Sequence, residues 1–405
     1  MKINIKLNYF KVIILLVFFI TNYLWAYSQV QIQNPLKIKE YKLENGLTVI
    51  LNEDHTQPLV FGAIAVKAGS KNDPPDATGM AHYQEHMLFK GTEELGTINW
   101  DAEKPYIDSI FLFYDILGQT KDVKEREKIQ LEINRLSLEA NKYAIPNEFS
   151  NIIKEIGGTD LNAETGPDQT LFYNAFPPHK IEQWLEIYSH RFINPVFRSF
   201  QAELEVVYEE KNLYNDIFIV PLLEKFGKNF FKVHPYGQQT TIGTIEHLKN
   251  PSLTKMYHFF KTWYVPNNMA LVLCGDFNSE EIMPLIKEKF EIWQYKELPP
   301  QKTWHELPFK GKEKVVVRMS PIKLALLGFR TPPIGHKDEP ALEVMCEMLS
   351  NENKSGLLDK LVLDNKLIAA EILPMNYNDY GASIILIVPK IFGQSIKKAE
   401  ELVIK

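Results

Sequence analysis

The chain has 405 residues, enough for two or three domains that each bury a sizeable hydrophobic core. Its net charge of −6, without any cluster of Lys and Arg, argues against a nucleic-acid partner. Only two cysteines are present, far apart in the sequence, which excludes a disulfide framework and leaves core burial as the source of stability.

The N-terminal segment has the pattern of a signal peptide. Lysines precede the apolar run VIILLVFF, and Ala26 and Ser28 offer small residues for cleavage. An uncleaved membrane anchor is the alternative, but the run is interrupted at Thr21 and is shorter than the roughly 20 residues of a spanning helix. We therefore predict that residues 1–28 are a signal peptide and that the protein is exported, either to the periplasm or by secretion.

The next segment predicts two paired strands, a buried strand and then a helix. Two alternating runs in IKEYKLENGLTVILNED flank Asn45-Gly46, which indicates a β-hairpin. The run LVFGAIAVKAGS is almost continuously apolar, as is typical of a strand in the middle of a sheet. Pro74-Pro75 then breaks the chain, and Thr78 or Gly79 can cap a helix that carries GMAHYQEHMLFKGT.

This helix has the spacing of a metal site. Residues four apart share a helix face, so the imidazoles of His82 and His86 can reach one cation, and zinc favours nitrogen ligands. Glu85 lies on nearly the same face, where its carboxylate can take a proton from a zinc-bound water. This is the H-x-x-E-H arrangement of inverted zincins. The alternative is a solvated helix in which the pattern occurs by chance.

A catalytic zinc site needs a third protein ligand. The later helix AELEVVYEEKNLYND offers four carboxylates, Glu203, Glu205, Glu209 and Glu210. Glu203 and Glu210 are seven positions apart, which is two turns along one face. An acidic surface helix is the alternative reading, and the spacing alone does not choose among the four carboxylates.

Residues 97–146, between these two helices, differ in character from their surroundings. Apolar residues recur there at helical spacing in two runs, which are separated by Gly118 and the polar QTKD. This pattern predicts an amphipathic helical hairpin with a charged outer face. After it, GGTDLNAETGPDQTLFYNAF predicts two strands joined by Gly166-Pro167-Asp168, and HKIEQWLEIYSHRF predicts a helix.

The last third of the chain repeats an earlier order of elements. A polar, Pro- and Lys-rich segment at 296–312 indicates a linker. A strand from Val315, a Pro332-Pro333 break and a helix at Glu339–Leu349 then follow, as do the strand, DPPD and helix near residue 80. Aligning the two helices puts Glu343, Cys346 and Glu347 opposite His82, Glu85 and His86. We therefore predict a duplicated domain whose second copy lacks the His pair.

From about residue 37 to its end, the chain resembles the pitrilysin/insulinase family of zinc metallopeptidases. NGLTVILNEDHTQPLV and GMAHYQEHMLFKGT are similar to the family's first strands and inverted zinc helix. LNAETGPDQTLFY resembles its Asn-Ala-x-Thr strand, and AELEVVYEEKN resembles the helix with its third ligand. WYVPNNMALVLCGDF is similar to the segment that ends the family's first sheet. Several matches in one order are far more specific than the zinc motif alone.

The resemblance implies a role for each candidate residue. The family has a Glu seven residues before its zinc-binding Glu, which makes Glu210 the third ligand and Glu203 a supporting carboxylate. His82 and His86 become the other ligands of one zinc ion per chain, and Glu85 becomes the general base. The strand that takes a substrate peptide by edge pairing corresponds to Asn162, Ala163 and Thr165.

The resemblance also implies an α+β fold, in which mixed or antiparallel sheets are packed by helices and the domain is duplicated. The expected parts are a zinc-binding peptidase domain at 29–295 with the inserted hairpin 97–146, the linker 296–312, and a partial second domain without the zinc motif at 313–405. Family members enclose a chamber with further domains, whereas this chain stops about halfway through its second. We therefore expect a fragment, or one piece of a longer or multi-chain enzyme.

The hairpin is a departure from the family pattern. The separation of His86 from Glu210 is longer than is usual in the family, and residues 97–146 account for the surplus. Such an insertion can project from the domain without moving either ligand helix. We expect it to shape access or docking, and a surface insertion without a function is the alternative.

The implied function is that of a zinc-dependent endopeptidase, which hydrolyses peptides or unfolded protein segments with water activated by Glu85. The alternative is a non-catalytic or fragmentary partner subunit that binds peptide or assembles with another chain, although the intact ligand set argues against it. A structural or storage zinc site is a third reading, but such a site is normally closed by a fourth protein ligand.

Overall fold

The computed structural model of the protein describes residues 36–318 and 322–405. The predicted signal peptide, residues 1–28, lies outside this part of the chain. Within the described ranges, no helix is both long enough and apolar enough to cross a membrane.

Six strands form one mixed sheet. They are β1 (Ile38–Lys42), β2 (Thr48–Glu53), β3 (Val60–Val66), β4 (Thr159–Thr165), β5 (Thr170–Phe176) and β6 (Met269–Gly275). Their order across the sheet is β1-β2-β6-β3-β5-β4, and only β2 and β6 pair in parallel. The predicted hairpin at Asn45-Gly46, the inner position of β3 and the β4–β5 pair are all confirmed.

Eleven of the described α-helices lie between β3 and the strand that begins at Ala325 along the chain. They are α1 (Met80–Met87), α2 (Trp100–Gln119), α3 (Val123–Ala140), α4 (Glu148–Glu155), α5 (Ile181–Arg191), α6 (Phe200–Asp216), α7 (Ile219–Phe230), α8 (Pro235–Gln238), α9 (Ile245–Leu248), α10 (Leu253–Trp263) and α11 (Ser279–Phe290). The zinc-motif helix is α1, the predicted helical hairpin is α2 and α3, and the acidic helix is α6. All three predictions of helix are confirmed.

The first sheet and its helices bury two hydrophobic cores. The sheet core lies between the strands and helices α5, α10 and α11, with Trp184 and Phe290 fully buried in it. The hairpin core lies between α2, α3, α6 and α10. Helix α1 contributes Ala81 to the sheet core and both Tyr83 and Met87 to the hairpin core. The hairpin therefore packs against both helices that carry candidate ligands and does not stand apart from the domain, while its role in access or docking stays a prediction.

A three-stranded antiparallel sheet repeats part of the first one. Its strands are β7 (Ala325–Thr331), β8 (Ala369–Asn376) and β9 (Gly381–Val388), with helices α12 (Glu339–Leu349), α13 (Leu357–Leu363) and α14 (Ile396–Ile404). The order β7-β9-β8 matches β3-β5-β4, and in both sheets a strand, a helix, a strand pair and a helix follow along the chain. The fold is therefore α+β with a duplicated unit, as expected.

The predicted strand at Val315 is wrong, because residues 315–318 form neither helix nor strand. Val315 and Val316 are exposed and pair with none of the described strands, so their β-branched side chains do not suffice to form one. The strand lies instead at β7, which pairs with β9 along its whole length. Sheet pairing has overridden local propensity here.

The segment at 296–312 contains no helix or strand and is mostly exposed, but Trp304, Glu306 and Phe309 within it are half-buried. The Glu306 carboxylate accepts hydrogen bonds from the backbone N–H groups of Val233 and His234, at 2.6 and 2.7 Å, and lies 2.8 Å from the Arg330 guanidinium. The ring of Phe309 lies 5.3 Å from that of Phe230. A domain boundary at this segment stays a prediction.

Gly62 provides a test of packing in the sheet core. A Cβ atom at this position in β3 would lie 2.5 Å from the indole ring of Trp184, which is itself stacked on Tyr188. We expect Gly62→Ala to lower the free energy of unfolding in urea by about 1–3 kcal/mol, as overpacking does in other cores. Gly118→Ala in α2 is the control, since nothing lies within 4 Å of its added Cβ. Equal destabilisation by both changes would contradict this account.

Candidate metal centre

Helix α1 begins at a glycine and is capped by a carboxylate from outside the helix. Gly79 adopts a φ of 88°, which glycine tolerates without strain, so it is the N-cap residue that the sequence allowed. The Asp73 carboxylate accepts hydrogen bonds from the backbone N–H groups of Gly79 at 2.7 Å and Ala81 at 2.8 Å. Thr78 does not cap the helix, because its hydroxyl lies 2.7 Å from Nδ1 of His247.

The side chains of three predicted ligands converge beside α1. Nε2 of His82 and Nε2 of His86 are 3.3 Å apart, and each lies 3.6 Å from Oε2 of Glu210. Tetrahedral zinc with bonds of about 2.0–2.2 Å needs ligand atoms about 3.3–3.6 Å apart. Two imidazoles and one carboxylate are also a donor set that zinc accepts, so these residues fit one zinc ion.

The structure separates the four acidic candidates of α6. Glu210 lies two turns beyond Glu203 on the same face, and both carboxylates point at the histidines. Glu205 and Glu209 are exposed to solvent and do not belong to the cluster. The choice that the sequence left open therefore follows from which face of α6 meets α1.

Glu203 orients His86 from its second ring nitrogen. Its Oε1 lies 2.8 Å from Nδ1 of His86, and its Oε2 lies 2.5 Å from Nζ of Lys90. Burial raises the pKa of Glu203, but the hydrogen bonds from His86 and Lys90 outweigh it, and the pKa falls below its usual range. An ionised Glu203 holds the imidazole proton at Nδ1, which leaves Nε2 free to bind a cation.

The two histidines differ in their affinity for protons. Burial lowers the pKa of His82 to about 3, with a smaller contribution from His86, so the imidazole of His82 is neutral at pH 7. Burial also lowers the pKa of His86, but the hydrogen bond and the charge of Glu203 raise it above its usual value. A metal ion bound at Nε2 of His86 would displace any proton from that nitrogen, because only an unprotonated Nε2 can bind a metal.

Glu85 is buried beside the cluster and is held by the sheet. Its Oε2 accepts a hydrogen bond of 2.6 Å from the hydroxyl of Thr165, the last residue of β4. Burial raises the pKa of Glu85, and the bond from Thr165 opposes that rise. Thr165, predicted only as part of the substrate strand, thus also fixes the carboxylate that was predicted as the base.

Strand β4 carries the other two predicted substrate contacts and lies at the edge of the six-stranded sheet. Among the described residues it pairs on one side only, with β5. Asn162 is exposed and Ala163 is buried, and helix α1 lies against the strand. Its unpaired N–H and C=O groups can accept a further strand. The structure thus brings Asn162, Ala163 and Thr165 to an open sheet edge beside the cluster.

Two family descriptions match most of the chain. Insulinase (Peptidase family M16) matches residues 48–99 and 133–241, which include the whole cluster. Peptidase M16 inactive domain matches residues 252–402. The chain belongs to the insulinase family. Residues 100–132, which contain α2 and the first half of α3, lie outside both matches.

Relatives and solved structures agree with this family. The chain is 24% identical over 388 residues to zinc protease PqqE of Helicobacter pylori, across 93% of this chain and 73% of that protein. It is 24% identical to insulin-degrading enzyme of Drosophila melanogaster, across 82% of this chain but only 30% of that protein. The chain therefore spans less than a third of the insulin-degrading enzyme.

Solved structures share the fold. The crystal structure of a protease from Helicobacter pylori has a TM-score of 0.72 at 23% identity and covers 91% of this chain and 79% of that one. The first half of the periplasmic protease PqqL from Escherichia coli has a TM-score of 0.63 at 18% identity, over 91% and 71%. At these identities the likeness establishes the fold alone.

Sequence reasoning missed two charged residues of this insulinase-family site. Asp73 lies six positions before Gly79, the N-cap residue of the helix, beyond the range of the local capping patterns. Lys90 follows the motif helix in FKGT, and only the approach of α6 pairs it with Glu203. Neither residue gives a local signal, because each acts through a contact that folding creates.

Removing the Asp73 carboxylate tests the cap of α1. We expect Asp73→Ala to lower the free energy of unfolding by about 1–2 kcal/mol, because two N–H groups at the helix start lose their acceptor. Asp76→Ala removes an exposed acid three residues later and is the matched control, with an expected change within about 0.5 kcal/mol. Chemical denaturation of both variants measures the difference, and similar losses would mean that Asp73 does not cap the helix.

Proposed function

We propose that this chain is a zinc-dependent endopeptidase that hydrolyses peptides or unfolded protein segments. The observation that carries the proposal is the convergence of His82, His86 and Glu210, whose ligand atoms lie 3.3–3.6 Å apart. The relative PqqE, a zinc protease, supports the choice of metal and reaction. Three protein ligands leave a coordination position open, as a catalytic site requires and a structural site does not.

Zinc bound at this cluster would lower the pKa of a water molecule and polarise the scissile carbonyl. Glu85 would accept a proton from the attacking water at its carboxylate and later donate it to the amine of the departing product. The hydroxyl of Thr165 holds Oε2 of Glu85 in place, so the second oxygen is the one free to take the proton. Burial raises the pKa of Glu85, which suits a group that both accepts and donates a proton near neutral pH.

The open edge of β4 is the proposed binding site for substrate main chain. A peptide that pairs with Asn162, Ala163 and Thr165 extends the sheet and passes beside α1, where the base and the ligands lie. Main-chain pairing of this kind recognises extended backbone more than side-chain identity. We therefore propose peptides and unfolded segments as substrates, since folded proteins rarely offer an unpaired strand.

The place of action and the assembly belong to the same proposal. The signal-peptide pattern at residues 1–28 and the periplasmic relative PqqL support an exported protein. A second chain or further segment is proposed to complete a substrate chamber, in line with the crystallised first half of PqqL. A partner subunit that binds peptide without cutting it is the alternative, and unchanged peptide binding after chelation, without cleavage, would favour it.

Zinc binding can be tested apart from turnover. Elemental mass spectrometry of residues 29–405 should find about one zinc per chain. Glu210→Ala should weaken zinc binding by at least about tenfold, because loss of a residue that only hydrogen-bonds to a ligand already has an effect of that size. Glu209→Ala removes the exposed neighbouring carboxylate and is the matched control, expected to bind zinc as the wild type does. A folded wild-type chain without zinc would contradict the proposed centre.

The role of Glu85 is tested by Glu85→Gln, which keeps the shape and the hydrogen bond from Thr165 but removes the base. Hydrolysis of a quenched fluorescent peptide should fall by about 10²–10⁴-fold while zinc remains bound. Glu40→Gln changes an exposed carboxylate in β1, at the opposite edge of the six-stranded sheet, and should leave the rate unchanged. Undiminished hydrolysis by Glu85→Gln with zinc in place would rule out this mechanism.

A further inference from the structure

One group of the buried contacts of the hairpin α2–α3 lies at the start of α6, the helix that carries Glu203 and Glu210. We propose that this hairpin is a positioning element for α6, and that Glu103 and Tyr114 are the residues through which it acts. The inference rests on the proposed zinc site. Most of the hairpin lies outside the family matches, whereas the whole of α6 lies inside one of them.

A buried ion pair joins the hairpin to the residues just before α6. Nε of Arg198 lies 2.8 Å from Oε1 of Glu103, and its Nη2 lies 3.1 Å from Oε2, so the contact is bidentate. Both side chains are almost fully buried, at 4% and 0% exposure. The Nη1 atom of Arg198 also donates to the carbonyls of Lys90 and Leu95, after α1. One guanidinium thus connects α2, the end of the motif segment and the start of α6.

Aromatic contacts hold the first turn of α6 on the same side. The ring of Phe200 lies 4.8 Å from Tyr83 of α1 and 4.9 Å from Tyr114 of α2. The hydroxyl of Tyr114 donates to Oε1 of Gln201 at 2.6 Å, and the hydroxyl of Tyr83 donates to the carbonyl of Phe200. The first turn of α6 is therefore fixed to both neighbouring helices by ring packing and by hydrogen bonds.

The position of this first turn determines where the ligand lies. Phe200 and Glu210 are about 15 Å apart along a rigid helix, so a tilt of about 4° at the start moves Glu210 by about 1 Å. Metal ligands must keep their distances to within about 0.2 Å. Contacts at Arg198, Phe200 and Gln201 therefore act on the cluster although none of these residues touches it.

The outer face of the hairpin supplies a contrast. Arg135 and Glu132 of α3 also form a bidentate pair, but their side chains are 58% and 36% exposed and contact no part of α6. A hairpin that merely decorates the surface would contain only pairs of this second kind. The same hairpin thus offers one ion pair directed at the ligand helix and one that serves as an internal control.

Glu103→Gln and Glu132→Gln make the matched comparison. Each removes the charge of a hairpin glutamate that is paired with an arginine, without changing the size of the side chain. Zinc affinity, measured by competition with a chelator at a temperature where both variants are folded, should fall by about 10–100-fold in Glu103→Gln, as for other residues that orient ligands. Glu132→Gln should bind zinc as the wild type does, and Glu103→Asp should recover part of the lost affinity.

Tyr114→Phe is the second variant, because it removes only the hydroxyl bonded to Gln201 and leaves the ring packing intact. It should also weaken zinc binding and alter the visible absorption of the cobalt-substituted protein, which reports ligand geometry and not global stability. It decides the question if Glu103→Gln does not fold. Wild-type affinity and spectrum in folded Glu103→Gln or, failing that, in Tyr114→Phe would overturn the inference. A wild-type chain that binds no metal would instead overturn the proposed function on which the inference rests.

Discussion

The site depends on the burial of one short helix between two hydrophobic cores. Helix α1 has eight residues, too few to be stable alone, so its direction is set by the sheet core on one side and the hairpin core on the other. Asp73 fixes its start. Only one face of the helix is not fully buried, and His82 and His86 lie on it four residues apart. The geometry of the cluster is therefore a consequence of packing on the other faces.

Burial at the site also brings a charge into the interior. Arg191 of α5 is fully buried, and its guanidinium lies 4.2–4.4 Å from the rings of Phe89, Phe149 and Phe172. Its Nε donates to the carbonyl of Leu88, at the C-terminal end of α1, where a cation is favoured by the helix dipole. Burial lowers the pKa of Arg191 to about 10, which still leaves it charged at neutral pH. Helix α1 thus has an acidic side chain, Asp73, at its start and a cationic side chain, Arg191, at its end.

The features that could be predicted from the sequence are those that the local pattern of residues determines. The helix with His82 and His86, the hairpin of α2 and α3 and the strand pair β4–β5 all follow from periodicity and turn residues. The pairing of Glu103 with Arg198 joins residues 95 positions apart, and no periodicity in either segment points to it. The strand predicted at Val315 failed because it was inferred from its own segment, whereas pairing with the distant strand β9 decides where the strand lies.

The duplicated unit shows that the fold alone does not make a metal site, because the second copy has the same fold without the ligand side chains. In the second copy, α12 occupies the place of α1, but Cys346 points into the core and Glu343 and Glu347 are exposed.

The two copies meet at their equivalent turns. Nζ of Lys71 lies 2.5 Å from the carboxylate of Asp168, in the β4–β5 turn, and 3.2 Å from that of Asp379, in the β8–β9 turn. Asp168 also accepts a hydrogen bond from the backbone N–H of residue 378. Asp168 lies three residues after Thr165, the residue of β4 that orients Glu85. The second copy, which lacks the His pair, therefore holds the end of β4 in the first copy, which has it.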